Sequence, residues 1–150
     1  MGNLLNDFYE KRLVEIYDES PESWEEAINL AGQGLMREGY ITGQYIEEII
    51  QNVKENGPYI VIVPGVVIPH AMARSEAVLG TAIGFSKFRE DVVFDEEKRG
   101  KLFFTLAARD EKEHLENIGK LMDLLMTDGM IERLGKVENL KEYENLLKRI

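Results

Sequence analysis

The 150-residue sequence has no cysteine and no long apolar run, and each absence removes a class of protein. Without cysteine there is no disulfide framework, no thiol nucleophile and no common structural zinc site. No apolar stretch approaches the roughly 20 residues that cross a bilayer. The polar N-terminus also lacks the apolar centre of a signal peptide. We therefore expect a cytoplasmic protein without direct membrane insertion.

Positive charge is also scarce, because 18 lysines and arginines face 28 aspartates and glutamates, for a formal net charge of −10. This charge argues against nucleic acid as a partner, since the phosphates would be repelled. It favours instead a partner with a basic binding face. The length and a hydrophobic share of 44% suffice for one substantial core. We expect residues 1–150 to form a single domain.

The apolar residues have helical spacing in the first and last thirds of the chain. Ser20 and Pro21 predict the start of one helix, and Thr42 predicts the start of a second. Leucine, isoleucine and methionine at helical intervals predict further helices at 114–126, 129–134 and 140–150. Residues 12–17 fit either the end of a short helix or an edge strand, and we favour the strand.

Extended patterns dominate the middle third. Strands are predicted at 59–63, 66–68, 78–85 and 101–107. Their apolar runs suggest strands that are covered on both faces. The sequence therefore predicts an α/β fold, in which helices flank both faces of a small mixed sheet.

Only two histidines are present, and His70 directly follows an apolar run and a proline. Pro69 fixes its own φ and favours an extended conformation for Ile68, which places the ring at the edge of the core. Such an imidazole can be a nucleophile, an acid or base, or a ligand. The alternative is a histidine that fills a core gap or lies on the surface. His114 is predicted in the first turn of a helix, where a plain surface histidine is the alternative.

Motifs for other chemistries are missing from the sequence. There is no glycine-rich phosphate loop, no GxSxG and no HExxH. The two histidines and the carboxylates also lack the close spacing of zinc ligands. We therefore expect neither a metal nor a bound cofactor.

Three segments carry a resemblance to a known family. They are GVVIPHA (65–71), GFSKFREDVVF (84–94) and LAARDEKEHLENIGKL (106–121). They are similar to segments of the enzyme IIA (EIIA) components of the bacterial phosphoenolpyruvate-dependent sugar phosphotransferase system (PTS), of the mannitol/fructose class. The version GPYIVI…PG…PHA looks most like the ascorbate-type branch. The resemblance implies a mixed sheet of about five strands flanked by helices.

The resemblance also implies a function and two partners. His70 would accept a phosphoryl group from the phosphocarrier HPr and pass it to a thiolate of a cognate enzyme IIB (EIIB). EIIB in turn serves the membrane component EIIC in the uptake of an ascorbate-type or related carbohydrate. One alternative is a regulatory EIIA-like protein, whose His70 phosphorylation state controls a partner protein. Another is a binding module that has lost phosphotransfer.

The resemblance finally implies a set of site residues. His114 matches the second histidine of the family and would stabilise the phosphoryl group, so the two rings should lie within about 10 Å. One ring nitrogen of His70 has to be unprotonated, and an acceptor should fix the other. Further candidate phosphate contacts are Ala71, Met72, Ser75 and Ser86.

Overall fold

A five-stranded mixed sheet forms the centre of the computed structural model, which describes residues 3–71 and 75–149. Its strands are β1 (Val14–Ile16), β2 (Val61–Val63), β3 (Gly65–Val67), β4 (Ala82–Val93) and β5 (Arg99–Ala107), in the order β1-β4-β5-β3-β2. The pairs β1–β4 and β3–β5 are parallel, while β2–β3 and β4–β5 are antiparallel. The predicted small mixed sheet is confirmed.

Helices cover both faces of this sheet, as predicted. They are α1 (Asn3–Glu10), α2 (Trp24–Arg37), α3 (Gly43–Asn56), α4 (Glu111–Leu125), α5 (Met130–Gly135) and α6 (Leu140–Lys148). One core contains α2, α3 and Phe103, while the other contains α1, α4, α5, α6 and Phe104. Neighbouring residues of β5 enter opposite cores because successive side chains of a strand point to opposite faces. No described helix is long and apolar enough to cross a membrane.

The start of α2 differs from the prediction. The helix begins at Trp24 rather than at Ser20-Pro21, because Ser23 is the capping residue: its hydroxyl accepts a hydrogen bond of 3.1 Å from the Glu26 amide. The start of α3 agrees with the prediction, since Thr42 occupies its N-cap position.

Two strands also differ from their predictions, whereas β1 confirms the strand that we favoured within 12–17. β4 extends to Val93, well beyond the predicted 78–85, because its second half pairs with β5 in a hairpin. Exposed charged residues at 89–91 hide this extension in the sequence. β2 is an edge strand whose Ile62 and Val63 are exposed, so the expected cover on both of its faces was wrong.

β3 approaches β5 very closely at a pair of glycines. Gly65 has a φ of +94°, and a Cβ atom on Gly100 would lie 2.7 Å from the carbonyl carbon of Gly65. Such a distance is shorter than any ordinary contact between carbon atoms. The two parallel strands are therefore held side by side without room for a side chain between them.

Candidate functional site

The two histidines meet at the edge of the sheet where β3 and β5 end. His70 follows the end of β3, and His114 lies near the start of α4, which follows β5. The carboxyl ends of these parallel strands lie at the same edge of the sheet, where α/β proteins commonly place their sites. The ring centroids are 5.6 Å apart, which confirms the expected separation of less than about 10 Å.

The segment that carries His70 is fixed by its own backbone. The Ile68 amide donates to the Ile60 carbonyl oxygen over 2.8 Å, and the Leu106 amide donates to the Pro69 carbonyl oxygen over 2.9 Å. Ile68 and Pro69 are also buried, and His70 is half-buried. His70 therefore lies at the end of a segment that is tied to β5 on one side and to the turn before β2 on the other.

The ring of His70 is held in one tautomer by its own backbone. Its Nδ1 lies 2.6 Å from the Ile68 carbonyl oxygen. A carbonyl oxygen only accepts hydrogen bonds, which assigns the proton of the neutral ring to Nδ1 and leaves Nε2 with a free electron pair. Burial lowers the pKa of His70, the hydrogen bond to Ile68 opposes this shift, and the nearby His114 adds to it. The site therefore favours a neutral, nucleophilic imidazole.

Two tyrosines that the sequence did not identify as site residues hold the backbone around His70. The Tyr59 hydroxyl donates to the His70 carbonyl oxygen over 2.7 Å. The Tyr45 hydroxyl accepts from the Ala71 amide over 3.2 Å and donates to the Leu106 carbonyl oxygen over 2.7 Å. Burial raises the pKa of Tyr45 to about 12, so its hydroxyl remains a donor. A tyrosine at a buried position of a predicted helix could have indicated this role from the sequence, because a buried hydroxyl needs a hydrogen-bond partner.

His114 is placed by the first turn of α4. Its amide donates to the carbonyl oxygen of the capping residue Asp110 over 3.0 Å, in the normal helical pattern. The preceding residue, Glu113, accepts from the Thr81 hydroxyl and forms two hydrogen bonds with the Arg109 guanidinium, of 3.1 and 3.2 Å. The Arg109 guanidinium and the Thr81 hydroxyl lower the pKa of Glu113 to about 2. An ionised carboxylate thus links the start of α4 to the segment before β4.

The remaining predicted contacts fall in different places. The Ala71 amide is already bonded to Tyr45, and the Ser75 hydroxyl accepts from the Ala77 amide over 3.0 Å. Met72 lies outside the described residues.

Ser86 is not brought to the histidines. It is 1% exposed inside β4 and pairs with Phe103, whereas the His70 segment adjoins Leu106 at the end of β5. Three residues along a strand correspond to about 10 Å. The GFS motif that suggested Ser86 marks the interior of a strand.

No metal site accompanies the two imidazoles within residues 3–71 and 75–149. In that part of the chain, no three histidine, aspartate or glutamate side chains are grouped so that they could hold an ion. The described site offers Nε2 of His70 as an unprotonated nitrogen, next to a second imidazole.

Residues 7–150 match the family described as the phosphoenolpyruvate-dependent sugar phosphotransferase system, EIIA 2. The chain belongs to this family. As a PTS EIIA component it is a phosphotransferase that carries phosphate on a histidine. This finding confirms the resemblance that the three sequence segments indicated.

Three known proteins illustrate the similarity of this EIIA component to its relatives. The mannitol-specific cryptic phosphotransferase enzyme IIA component of Escherichia coli K12 is 29% identical, with 97% of this chain and 98% of that protein covered. The solution structure of the mannitol-specific cryptic enzyme IIA from Escherichia coli has a TM-score of 0.82 over 97% of this chain and 99% of its own. The ascorbate-specific PTS system EIIA component of Escherichia coli K12 is 26% identical, with 97% and 96% covered.

A further relative of this EIIA component was solved with a partner. It is enzyme IIA of the mannitol system of Escherichia coli, in complex with phosphorylated enzyme IIB of that system. Its TM-score is 0.75 at 26% identity, and the match covers 92% of this chain and 95% of that one. The relatives thus include both mannitol-specific and ascorbate-specific EIIA components.

Proposed function

We propose that Nε2 of His70 accepts a phosphoryl group from HPr and transfers it to the thiolate of a cognate EIIB. The observation that supports this assignment most directly is the 2.6 Å contact between Nδ1 of His70 and the Ile68 carbonyl oxygen. This contact assigns the free electron pair to Nε2. A nucleophile with one defined tautomer is what a reversible phosphoryl carrier needs.

The transfer consists of two displacements at phosphorus. In the first, the electron pair of Nε2 forms a bond to phosphorus while the bond between phosphorus and the HPr phosphohistidine breaks. In the second, the EIIB thiolate forms a bond to phosphorus and the electron pair returns to Nε2. Phosphoryl transfer has a loose transition state, so the protein acts mainly by positioning the reactants and stabilising charge.

His114 is our candidate for that stabilisation. Its ring lies 5.6 Å from the ring of His70 between centroids, close enough for both to contact one phosphoryl group. It also lies near the N-terminus of α4, a helix of 15 residues, whose dipole favours an anion. An imidazole next to backbone dipoles stabilises the phosphoryl group without trapping it as a metal ion would. Ser75 remains a further candidate.

The proposal includes the setting of the reaction. Residues 1–150 would act as one domain in the cytoplasm, between HPr and an EIIB that serves a membrane EIIC. The mannitol-specific and ascorbate-specific relatives support a related carbohydrate as the transported substrate. They do not favour a regulatory role for His70, because they are sugar-specific components.

Phosphorylation with purified components tests the assignment of His70. Incubation with phosphoenolpyruvate, enzyme I and HPr should add one acid-labile phosphate to the wild-type chain. His70→Gln should take none, whereas His114→Gln should still be labelled. Undiminished labelling of the His70 variant would falsify the assignment.

Addition of an EIIB to the labelled protein tests the second displacement. We expect label to pass to the thiol of a mannitol-type or ascorbate-type EIIB. If label stayed on His70 in the presence of both types, the result would contradict our proposal of a transport role.

A further inference from the structure

The peptide group between His70 and Ala71 lies between two tyrosine hydroxyls. Its carbonyl oxygen accepts from Tyr59 over 2.7 Å, and its amide donates to Tyr45 over 3.2 Å. Both polar atoms of the peptide that follows the reactive histidine are therefore engaged by side chains. The backbone of His70 cannot rotate without breaking one of these bonds.

The two tyrosines differ in burial and in their other contacts. Tyr45 is 2% exposed and its hydroxyl also bonds to Leu106, so it joins α3 to β5 as part of the core. Tyr59 is 38% exposed and lies at the surface of the site. Burial raises the pKa of Tyr59, and a hydrogen bond from the Asn52 side chain opposes this shift.

Tyr59 also contacts the ring of His70. The two rings meet edge to face, with centroids 5.2 Å apart and planes at 89°. This is a preferred geometry for an aromatic pair. The imidazole thus has Tyr59 as one neighbour and His114, at 5.6 Å, as another. Tyr59 is the tyrosine that contacts both the carbonyl group and the ring of His70.

We propose that Tyr59 is a positioning residue for His70, which keeps the imidazole in the rotamer that directs Nδ1 to Ile68 and leaves Nε2 for transfer. Tyr59 would act through His70 rather than on the phosphoryl group. The kinetic consequence rests on the proposed function, but the effect on the tautomer does not. A ring without this neighbour could turn away from the Ile68 carbonyl oxygen and exchange the proton between its two nitrogens.

Nitrogen NMR of the histidine rings tests the tautomer in the unphosphorylated protein. At a pH where the imidazoles are neutral, the wild type should show His70 with its proton on Nδ1 alone. Tyr59→Leu should show a mixture of both tautomers, because the ring contact and the hydroxyl are both lost. Tyr59→Phe should lie between these two, because it keeps the ring contact. A single Nδ1 tautomer in both variants would overturn the proposal.

Tyr9 provides a matched control for these variants. It is also 38% exposed, its hydroxyl bonds to Glu144, and its ring stacks on Tyr143 at 6.4 Å, on a helix that carries neither histidine. Tyr9→Phe and Tyr9→Leu should leave the His70 tautomer unchanged. If they altered it as much as the Tyr59 variants do, a general loosening of the fold would replace the local explanation.

The kinetics of phosphorylation by phospho-HPr separate positioning from docking. Tyr59→Leu should lower kcat about tenfold, within the range that a misplacement of 1 Å can cause. Its KM for phospho-HPr should change by less than about twofold. A raised KM with an unchanged kcat would overturn the proposal, because it would make Tyr59 a docking contact. If the wild type accepted no phosphate, the proposed function would fail, while the NMR result would still decide the role of Tyr59.

Discussion

His70 and His114 lie 5.6 Å apart, yet the chain holds their rings in different ways. The His70 ring is hydrogen-bonded to Ile68 and packs edge to face on Tyr59. The His114 ring, by contrast, makes no hydrogen bond to the part of the chain that the structure describes. Its position comes from the first turn of α4, which Glu113 links to Arg109 and Thr81.

This difference fits the two tasks that we propose for His70, as acceptor, and for His114, as stabiliser, at one phosphoryl group. The acceptor has to present the same nitrogen to every donor, so a single tautomer and a fixed rotamer are useful to it. The stabilising imidazole has to follow the phosphoryl oxygens, which approach from one partner and leave toward another. A ring that is placed by its helix but has no hydrogen bond of its own can make that adjustment.

Replacement of His114 tests this division of tasks, and we expect it to have a larger effect than the other changes considered below. His114→Ala should slow transfer to EIIB on the order of 10²-fold, because a donor to the phosphoryl oxygens is lost. His114→Gln, which keeps a side-chain donor, should recover part of the rate. Rapid-mixing experiments with labelled protein would measure both. If His114→Ala lost all labelling, as expected for His70→Gln, the two histidines would not have separate tasks.

Replacement of Tyr45 should loosen the support of His70 and leave the support of His114 intact. Tyr45→Phe removes the partner of two buried groups, the Ala71 amide and the Leu106 carbonyl. We expect the free energy of unfolding to fall by about 1–3 kcal/mol, measured by denaturant titration. The matched variant is Tyr143→Phe, which removes the partner of a single buried carbonyl, that of Leu5. An equal loss in both variants would argue against the double role of Tyr45.

A lower pH should reduce the free energy of unfolding through His70. We expect this effect on stability to be smaller than that of replacing Tyr45. Burial lowers the pKa of His70 in the folded chain, and the unfolded chain keeps a value of about 6.5. Between these two values the unfolded state binds more protons, so stability falls as the pH is lowered through that window. Denaturant midpoints across the window should show a weaker decrease in His70→Asn than in wild type. An identical decrease would show that His70 does not contribute to it.

The same lowered pKa bears on the rate of phosphorylation. Nε2 can attack phosphorus only while it is unprotonated, and a lowered pKa keeps it so at a pH where an ordinary histidine is already charged. We therefore expect phosphorylation by phospho-HPr to continue below about pH 6.5. A rate that halved at the ordinary histidine pKa would contradict the buried environment of the ring.

The sequence indicated His70 because its signal is local. A proline and an apolar run next to a histidine already constrain the backbone, and the structure keeps that arrangement. His114 needed the resemblance, because a histidine at a helix start carries no signal of its own. Neither the local sequence pattern nor the family resemblance indicated Tyr45 and Tyr59. Tyr45 reaches Leu106 across 61 residues of sequence, and only the topology of the sheet brings them together.

The elements of the fold could likewise be predicted where their sequence signal was local. Helical spacing located α3 and the C-terminal helices because the apolar stripe of each helix faces one of the two cores. The second half of β4 was missed because its exposed residues carry charge, although Val92 and Val93 pair with Gly100 and Arg99 of β5. Ser86 was misjudged for the opposite reason. A short motif was interpreted as part of a site, whereas its residues lie inside a strand.

Because Gly65 and Gly100 approach each other so closely, a substitution at Gly100 should disturb the position of His70 from a distance. A methyl group on Gly100 would meet the backbone at the start of β3, at 2.7 Å from the Gly65 carbonyl carbon. β3 is only three residues long and leads directly into the segment of His70, so we expect that displacement to reach the ring. A screen for chains that fold but no longer carry phosphate should therefore recover changes at position 100, in a hairpin that contains neither histidine.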